Sequence, residues 1–247
     1  MAIFGGLFPY HFPPTMAKKK EFDLIENPGA VVEASIGKVE SFVNTHKQRI
    51  TQVLGGAIAV FALFWAYNFF IAAPAEKEAQ IALYPAQKAF AQDSLKLALN
   101  GNADQLGFLD ILDEHGSTKA GNLSEYYAGL CYLGLGQSEE AIAHLDAFSS
   151  HDGVLSAVAI GAIGDAFADL NQPEEAQEYY SKASKEEANN FLTPFFLSKA
   201  GSAAEMNSDY KAALKFYKRI KADFPTSSEA ADIDALIAYS EAKLNNK

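Results

Sequence analysis

From Asn122 onward a set of small and aromatic residues returns at nearly constant spacing, and nothing else in the chain constrains its fold as much. Gly129, Tyr132, Gly136, Ala141 and Leu145 form a first set, and Gly164, Phe167, Asn171, Ala176, Tyr180 and Ala183 a second, 35 residues later. Gly201, Ala204, Ser208, Ala213, Tyr217, Ile220 and Pro225 form a third after a further 37. The spacing has a packing reason. Gly129, Gly164 and Gly201, with Ala141, Ala176 and Ala213, let two helices of a pair (A, then B) approach closely. The larger residue four beyond each alanine fills the gap to the next pair. Gly136, Asn171 and Ser208 fall where the chain must turn, a conformation Gly and Asn tolerate. Pro173 suits the first turn of the second B helix, and Glu139-Glu140 and Glu174-Glu175 complement helix dipoles. No part of 74–247 alternates in a strand pattern. The expected class is all-α: an α-solenoid of about three helix pairs over 122–247, closed by a capping helix at Ser227–Leu244.

A second feature stands apart from the repeats. Val53 to Ala73 carries no charged residue, and its 21 residues span about 30 Å as a helix, the thickness of a bilayer core. Trp65, Tyr67, Phe69 and Phe70 fall in its second half, where aromatic rings reach the far interface. Ala73-Pro74-Ala75 would pass as a signal-peptide cleavage site. The apolar run is too long for a signal core, however, and about 50 residues precede it. An uncleaved transmembrane helix over 50–73 is the expectation. Lys18, Lys19, Lys20, Lys38, Lys47 and Arg49 all lie before it. After it, 74–247 holds 14 of the 20 basic and 26 of the 31 acidic residues, a balance of −12. Basic flanks stay cytoplasmic whereas long domains translocate whatever their charge, so the N-terminus is expected inside and the C-terminal domain outside.

The remaining segments follow from local signals. Residues 1–15, rich in Gly, Pro and aromatics, read as a disordered extension, and Met16 looks the more natural start. Residues 16–49 form a short basic, amphipathic segment in which Asn27-Pro28 opens a helix. Val32, Ile36, Val39 and Val43 make one apolar stripe on it, which either runs on towards the span or rests on the membrane surface. Residues 74–121 are membrane-proximal helices: Glu76–Leu99, with Tyr84-Pro85 a candidate kink, and Asp104–Glu114.

The repeats at 122–225 resemble the tetratricopeptide-repeat (TPR) family, with Ala204 standing where an aromatic is usual. The whole layout is similar to the bacterial YfgM-like proteins, ancillary subunits of the Sec translocon, by architecture alone. The first resemblance implies a protein-binding concave groove lined by A helices. Its positions are Leu123, Tyr126, Leu130, Leu133 and Gly134, then Val158, Gly161, Asp165, Ala168 and Asp169, then Phe195, Ser198, Ser202, Glu205 and Met206. Such a groove would be apolar at one end, with Tyr126 as anchor, and acidic elsewhere with no Lys or Arg. It would lack the Lys/Asn clamp some TPR domains use for a peptide carboxylate, and would accept an extended apolar or basic segment. The second resemblance implies a single-pass protein of the bacterial inner membrane, its C-terminal domain periplasmic. Its partners would be translocon subunits, chaperones or emerging polypeptides.

Catalytic chemistry finds little support. His11, His46, His115, His144 and His151 are dispersed, and His144, His151, Asp146 and Asp152 read as exposed helix ends rather than a metal site. Gly134-Leu135-Gly136-Gln137-Ser138 lacks the Lys-Ser/Thr ending and the preceding strand of a phosphate loop. Tyr179-Tyr180 and Phe195-Phe196 read as packing pairs. Cys131, the single cysteine, excludes an intramolecular disulfide and a thiol-based metal site. The net charge of −11 disfavours nucleic acid. No cofactor or enzyme activity is expected; lipid contacts come through the span, and a homodimer is a further option. An interaction scaffold is the leading reading. An envelope-assembly or cell-division adaptor is the alternative, and a membrane-tethered enzyme a distant one.

Overall fold

The computed structural model describes residues 28–186 and 189–246. The expected extension at 1–15, Met16 and the lysines Lys18, Lys19 and Lys20 lie outside the described residues. The chain divides into two units, Met1–Ala66 and Tyr67–Lys247. No strand occurs among the described residues.

Helix α1 dominates the first unit. It runs without a break from Pro28 to Tyr67, 40 residues, and opens at the proline whose missing N–H costs a first turn nothing. Ile36, Val39 and Val43 are exposed on the same unbroken helix that carries the uncharged stretch. The helical stretch Val39–Ala91 is long and apolar enough to cross a membrane, and its most apolar part has no buried residues.

A π-helical turn, Asn68–Ala72, follows α1 and leads into α2, Ala73–Ala91. Pro74 explains the turn. Proline offers no N–H to the carbonyl four residues back and its ring crowds that carbonyl. The N–H of Ala73 bonds instead to Asn68 O, five residues back, which widens the turn. Pro85 was a candidate kink, yet α2 continues through it. The turn it weakens faces outward, Ile81 and Tyr84 being exposed. The break comes later, at Gln92–Ser94, where Asp93 adopts φ +55°. The expected single helix to Leu99 is therefore two, α2 and α3 (Leu95–Asn100), followed by α4 (Phe108–His115). Gly107 N donates to Asp110 Oδ2 at 2.9 Å, so α4 starts later than sequence spacing indicates. These helices and the next, α5 (Lys119–Gly134), share one core around Phe108, Ile111, Leu99 and Leu83. Glu76 of α2 accepts the N–H of Lys119 at 2.6 Å, capping α5 from 43 residues away.

The repeats then follow as A/B pairs: α5 (Lys119–Gly134) with α6 (Ser138–Ala147), α7 (Gly153–Asp169) with α8 (Pro173–Glu186), and α9 (Leu192–Met206) with α10 (Tyr210–Asp223). Each helix packs on its sequence neighbour, and A helices of successive pairs also touch, which is the solenoid arrangement. A 3-10 turn at Ser228–Ala230 leads to α11, Ile233–Asn245, the expected cap; its Ile233 closes the last core with Tyr217 and Ile220.

The turn residues behave as their chemistry dictates. Gly136, Asn171 and Ser208 have φ of +73°, +55° and +57°. Each donates its N–H to the carbonyl three back, and the next residue donates to the carbonyl five back (Gln137 to Tyr132, Gln172 to Phe167, Asp209 to Ala204). That double bond is the Schellman helix stop. Asp93 makes the same pattern. In each pair the glycine of helix A receives the side chain of helix B. A Cβ on Gly129 would lie 2.5 Å from Leu145 Cγ, and one on Gly164 2.7 Å from the Tyr180 ring; Tyr217 crowds Gly201 in the same way. Ala141, Ala176 and Ala213 are fully buried beside them. At the start of the array, Asn122 clasps the loop after α6 through Ser149 N and O at 3.0 and 2.8 Å.

Two outcomes test this packing. An alanine at an exposed helical glycine stabilises by about 1 kcal/mol. Gly164→Ala should instead lower the urea-unfolding free energy of the 74–247 segment by about 1–3 kcal/mol, since the Tyr180 ring must shift. Cys131 is buried and burial pushes its thiol up to about 12, so it stays protonated. Thiol reagents should leave the folded chain unmodified and label it only after denaturation.

Candidate functional site

The expected groove positions divide sharply once the A helices are in place. Tyr126 is 9% exposed, so it is a core residue and not a surface anchor. Its ring packs on Tyr127 and Phe148 at 5.4 and 5.3 Å. Leu123, Leu130 and Leu133 join it against Ala159, Ala162 and Ile163 of α7. The apolar end of the expected groove is therefore the joint between the first and second pairs. Gly161 is also buried, occupied by the Phe196 ring. One physical reason covers both corrections: apolar residues on facing A helices find each other before they find a ligand.

The polar positions remain accessible to different degrees. Asp169 and Ser202 are exposed, and Ser198, Asp165 and Glu205 half-buried. Asp165 is the centre of a network that sequence spacing did not anticipate. Its Oδ1 accepts from Tyr180 Oη at 2.6 Å and from Lys199 Nζ at 2.5 Å. The Lys199 ammonium also lies over the rings of Tyr180 and Phe195, at 5.1 and 5.4 Å. The expected absence of Lys and Arg from this surface is thus corrected: Lys199 of α9 neutralises Asp165 of α7. The signal was available, because Lys199 follows Asp165 by 34 residues, one ideal repeat. Glu205 accepts from Ser240 Oγ of α11 at 2.8 Å, tying the last pair to its cap.

Exposed apolar groups gather at the opposite end from the one expected. Phe195 and Met206, both groove positions of the third pair, are 39% and 59% exposed, and Phe191 ahead of them is 72% exposed. Phe196, the neighbour of Phe195, is buried, since successive side chains on α9 point about 100° apart around the helix. The surface on offer is an acidic and hydroxyl-bearing strip on α7 and α9 with Phe195 and Met206 beside it.

Two tyrosines carry the electrostatic signature of this strip. Burial, then the hydrogen bond to Asp165 and the charges of Asp165 and Asp169, raise Tyr180 above its usual 10.0. Tyr217 is pushed up to about 12, mainly by burial, with the Glu205 carboxylate adding to it. Elsewhere, His144 Nδ1 pairs with Glu125 at 2.6 Å and its ring stacks on Tyr132, so it is held within the first pair and not by Asp146. Among the described residues no three or more metal-ligating side chains converge. Gly136, the second glycine of the supposed phosphate loop, is the helix stop described above.

Comparison with known proteins agrees with the geometry. Residues 124–151 match the family model described as "Tetratricopeptide repeat". That segment runs from the second turn of α5 through α6 and the loop after it, most of the first A/B pair. No curated protein matches the chain.

The tyrosine environment has a measurable consequence. A folded-state pKa above the unfolded one means that the folded chain holds the proton longer. The stabilisation is complete below about pH 10 and is lost as pH rises through the folded values, towards 12 for Tyr217. Urea-unfolding free energy of the 74–247 segment should therefore decline steeply above pH 10, and Tyr180→Phe with Tyr217→Phe should flatten that decline.

Proposed function

We propose that this chain is a membrane-anchored scaffold, which holds a protein partner on the α7–α9 face of its repeat array. The observation that carries this reading is the strip formed by Asp169, Ser202, Phe195 and Met206. It is exposed on A helices whose remaining faces are consumed by packing. Tetratricopeptide repeats point to protein interaction, and the strip supplies the chemistry: aromatic and thioether surface for an apolar anchor, carboxylates for a basic neighbour. An extended apolar or basic segment fits it, whereas an acidic tail meets Asp169 and Glu205.

The anchor is the uncharged part of α1 and the turn after it. Val53, Leu54, Ile58, Val60, Phe61, Leu63 and Phe64 are each more than half exposed, an apolar surface that water does not tolerate in a folded protein at this size. A bilayer covers it. The basic residues before the span put the N-terminus in the cytoplasm and the array on the extracytoplasmic side. In a bacterial envelope that location is beside the secretion channel and its chaperones, and emerging polypeptides or those chaperones are the segments such a strip accepts.

Two measurements test the reading in order. Added protease should digest 76–247 in right-side-out spheroplasts and leave a protected N-terminal fragment; protection of the array there, with digestion in inverted vesicles, reverses the topology. Crosslinking in membranes with mass spectrometry should then recover translocon subunits or chaperones. Asp169→Lys with Ser202→Lys should abolish those adducts without lowering the melting temperature, while Lys182→Glu on α8 should leave them intact. Adducts that survive the α7–α9 pair, or that contain only envelope-assembly proteins, refute the site or the partner respectively.

A further inference from the structure

The polar part of α1 carries an apolar line that the repeats do not explain and that runs on into the span at Ile50 and Val53. Between Ile36 and Val53 the steps 3, 4, 3, 4, 3 select Ile36, Val39, Val43, His46, Ile50 and Val53. Five of these six are aliphatic. Of the twelve residues between them only Phe42 is a large apolar residue, the rest being Gly, Ser, Thr, Asn, Gln or charged. Ile36, Val39, Val43 and Val53 are 60%, 62%, 43% and 71% exposed. A helix that docks on a core shows a wider apolar face at a period of 3.6; a line this narrow at 3.5 is a coiled-coil seam.

What covers the line is constrained by α1 itself. A helix lying in the membrane surface would bury it, but α1 passes straight into the uncharged stretch, so the residues that cross the bilayer and the residues on the line belong to one rod. The partner must run alongside. A second copy of this chain meets that condition without adjustment. Two anchors in one membrane hold their α1 helices parallel and at the same depth, so the seams arrive in register. In that register Glu40 faces Ser35 and Lys47 faces Phe42 across the flanking positions, with no like-charge pair. His46 is the one polar layer, the kind of residue that fixes alignment in parallel pairs.

From this seam we infer that two copies of the chain pair through α1, as a parallel coiled coil that begins before the membrane and continues into it. The inference rests on the span reading given above, and the test separates the two. In the full chain with Cys131→Ser, single cysteines are placed on the seam (Val39→Cys, Val43→Cys, Ile50→Cys) and off it (Ser41→Cys, Asn44→Cys, Gln48→Cys), and membranes are mildly oxidised. Disulfide-linked dimer should form several-fold more at the seam positions, and Val43→Glu should suppress the dimer at Val39→Cys where Asn44→Glu does not. Equal yields at all six positions, none at any, or adducts only with a different protein overturn the pairing while the chain remains in carbonate-washed membranes. Release of the chain by carbonate overturns the span reading and the in-register argument with it.

Discussion

The contact on which the array depends is a side chain of helix B lying in the space where helix A has no Cβ. Leu145 on Gly129, Tyr180 on Gly164 and Tyr217 on Gly201 are one contact made three times. It sets how closely the helices of a pair approach, and through that the angle at which the next pair is presented. The buried alanines follow from it, because only a small residue fits beside a crossing that close. The tyrosines add something leucine cannot. In the second pair the Tyr180 ring fills the crossing while its hydroxyl reaches the half-buried Asp165 of helix A, so packing and surface chemistry there are properties of one residue; the Tyr217 hydroxyl of the third pair stays buried.

Most of the architecture was legible because small residues and turn residues announce backbone geometry directly. Gly136, Asn171 and Ser208 mark helix stops in the sequence and are helix stops in the structure. Asp93 makes the same stop and went unread, since no neighbouring period pointed to it, while Pro85 drew attention to the wrong place. A proline inside a helix removes one hydrogen bond, and an outward-facing turn can spare it. The uncharged stretch was equally plain, and in the structure it belongs to a helical stretch long and apolar enough to cross a membrane.

The candidate site was less legible, for a definite reason. Family position numbers identify which residues sit on helix A, but not how much of that helix the next pair covers. In the first pair Leu123, Tyr126, Leu130 and Leu133 meet an alanine-rich α7, and the joint closes over them. In the third pair Phe195 and Met206 meet no further A helix of the same kind, since α11 caps the array. Exposure is therefore decided by order along the array, which a single repeat's pattern does not contain. Lys199 is not one of the groove positions of its own repeat, and its partner Asp165 lies one repeat earlier.

The bridge from Asp165 to Lys199 makes the two joints of the array unlike each other. The first joint, around Tyr126 and Leu145, is sealed by apolar contact among the described residues. The second adds an ion pair whose members are 37% and 33% exposed, open to mobile ions on one side. Salt screens such a pair and leaves apolar contact intact or strengthened. Ionic strength is consequently a selective control on this solenoid: it weakens the second joint, which carries the exposed strip, and leaves the first, apolar joint intact.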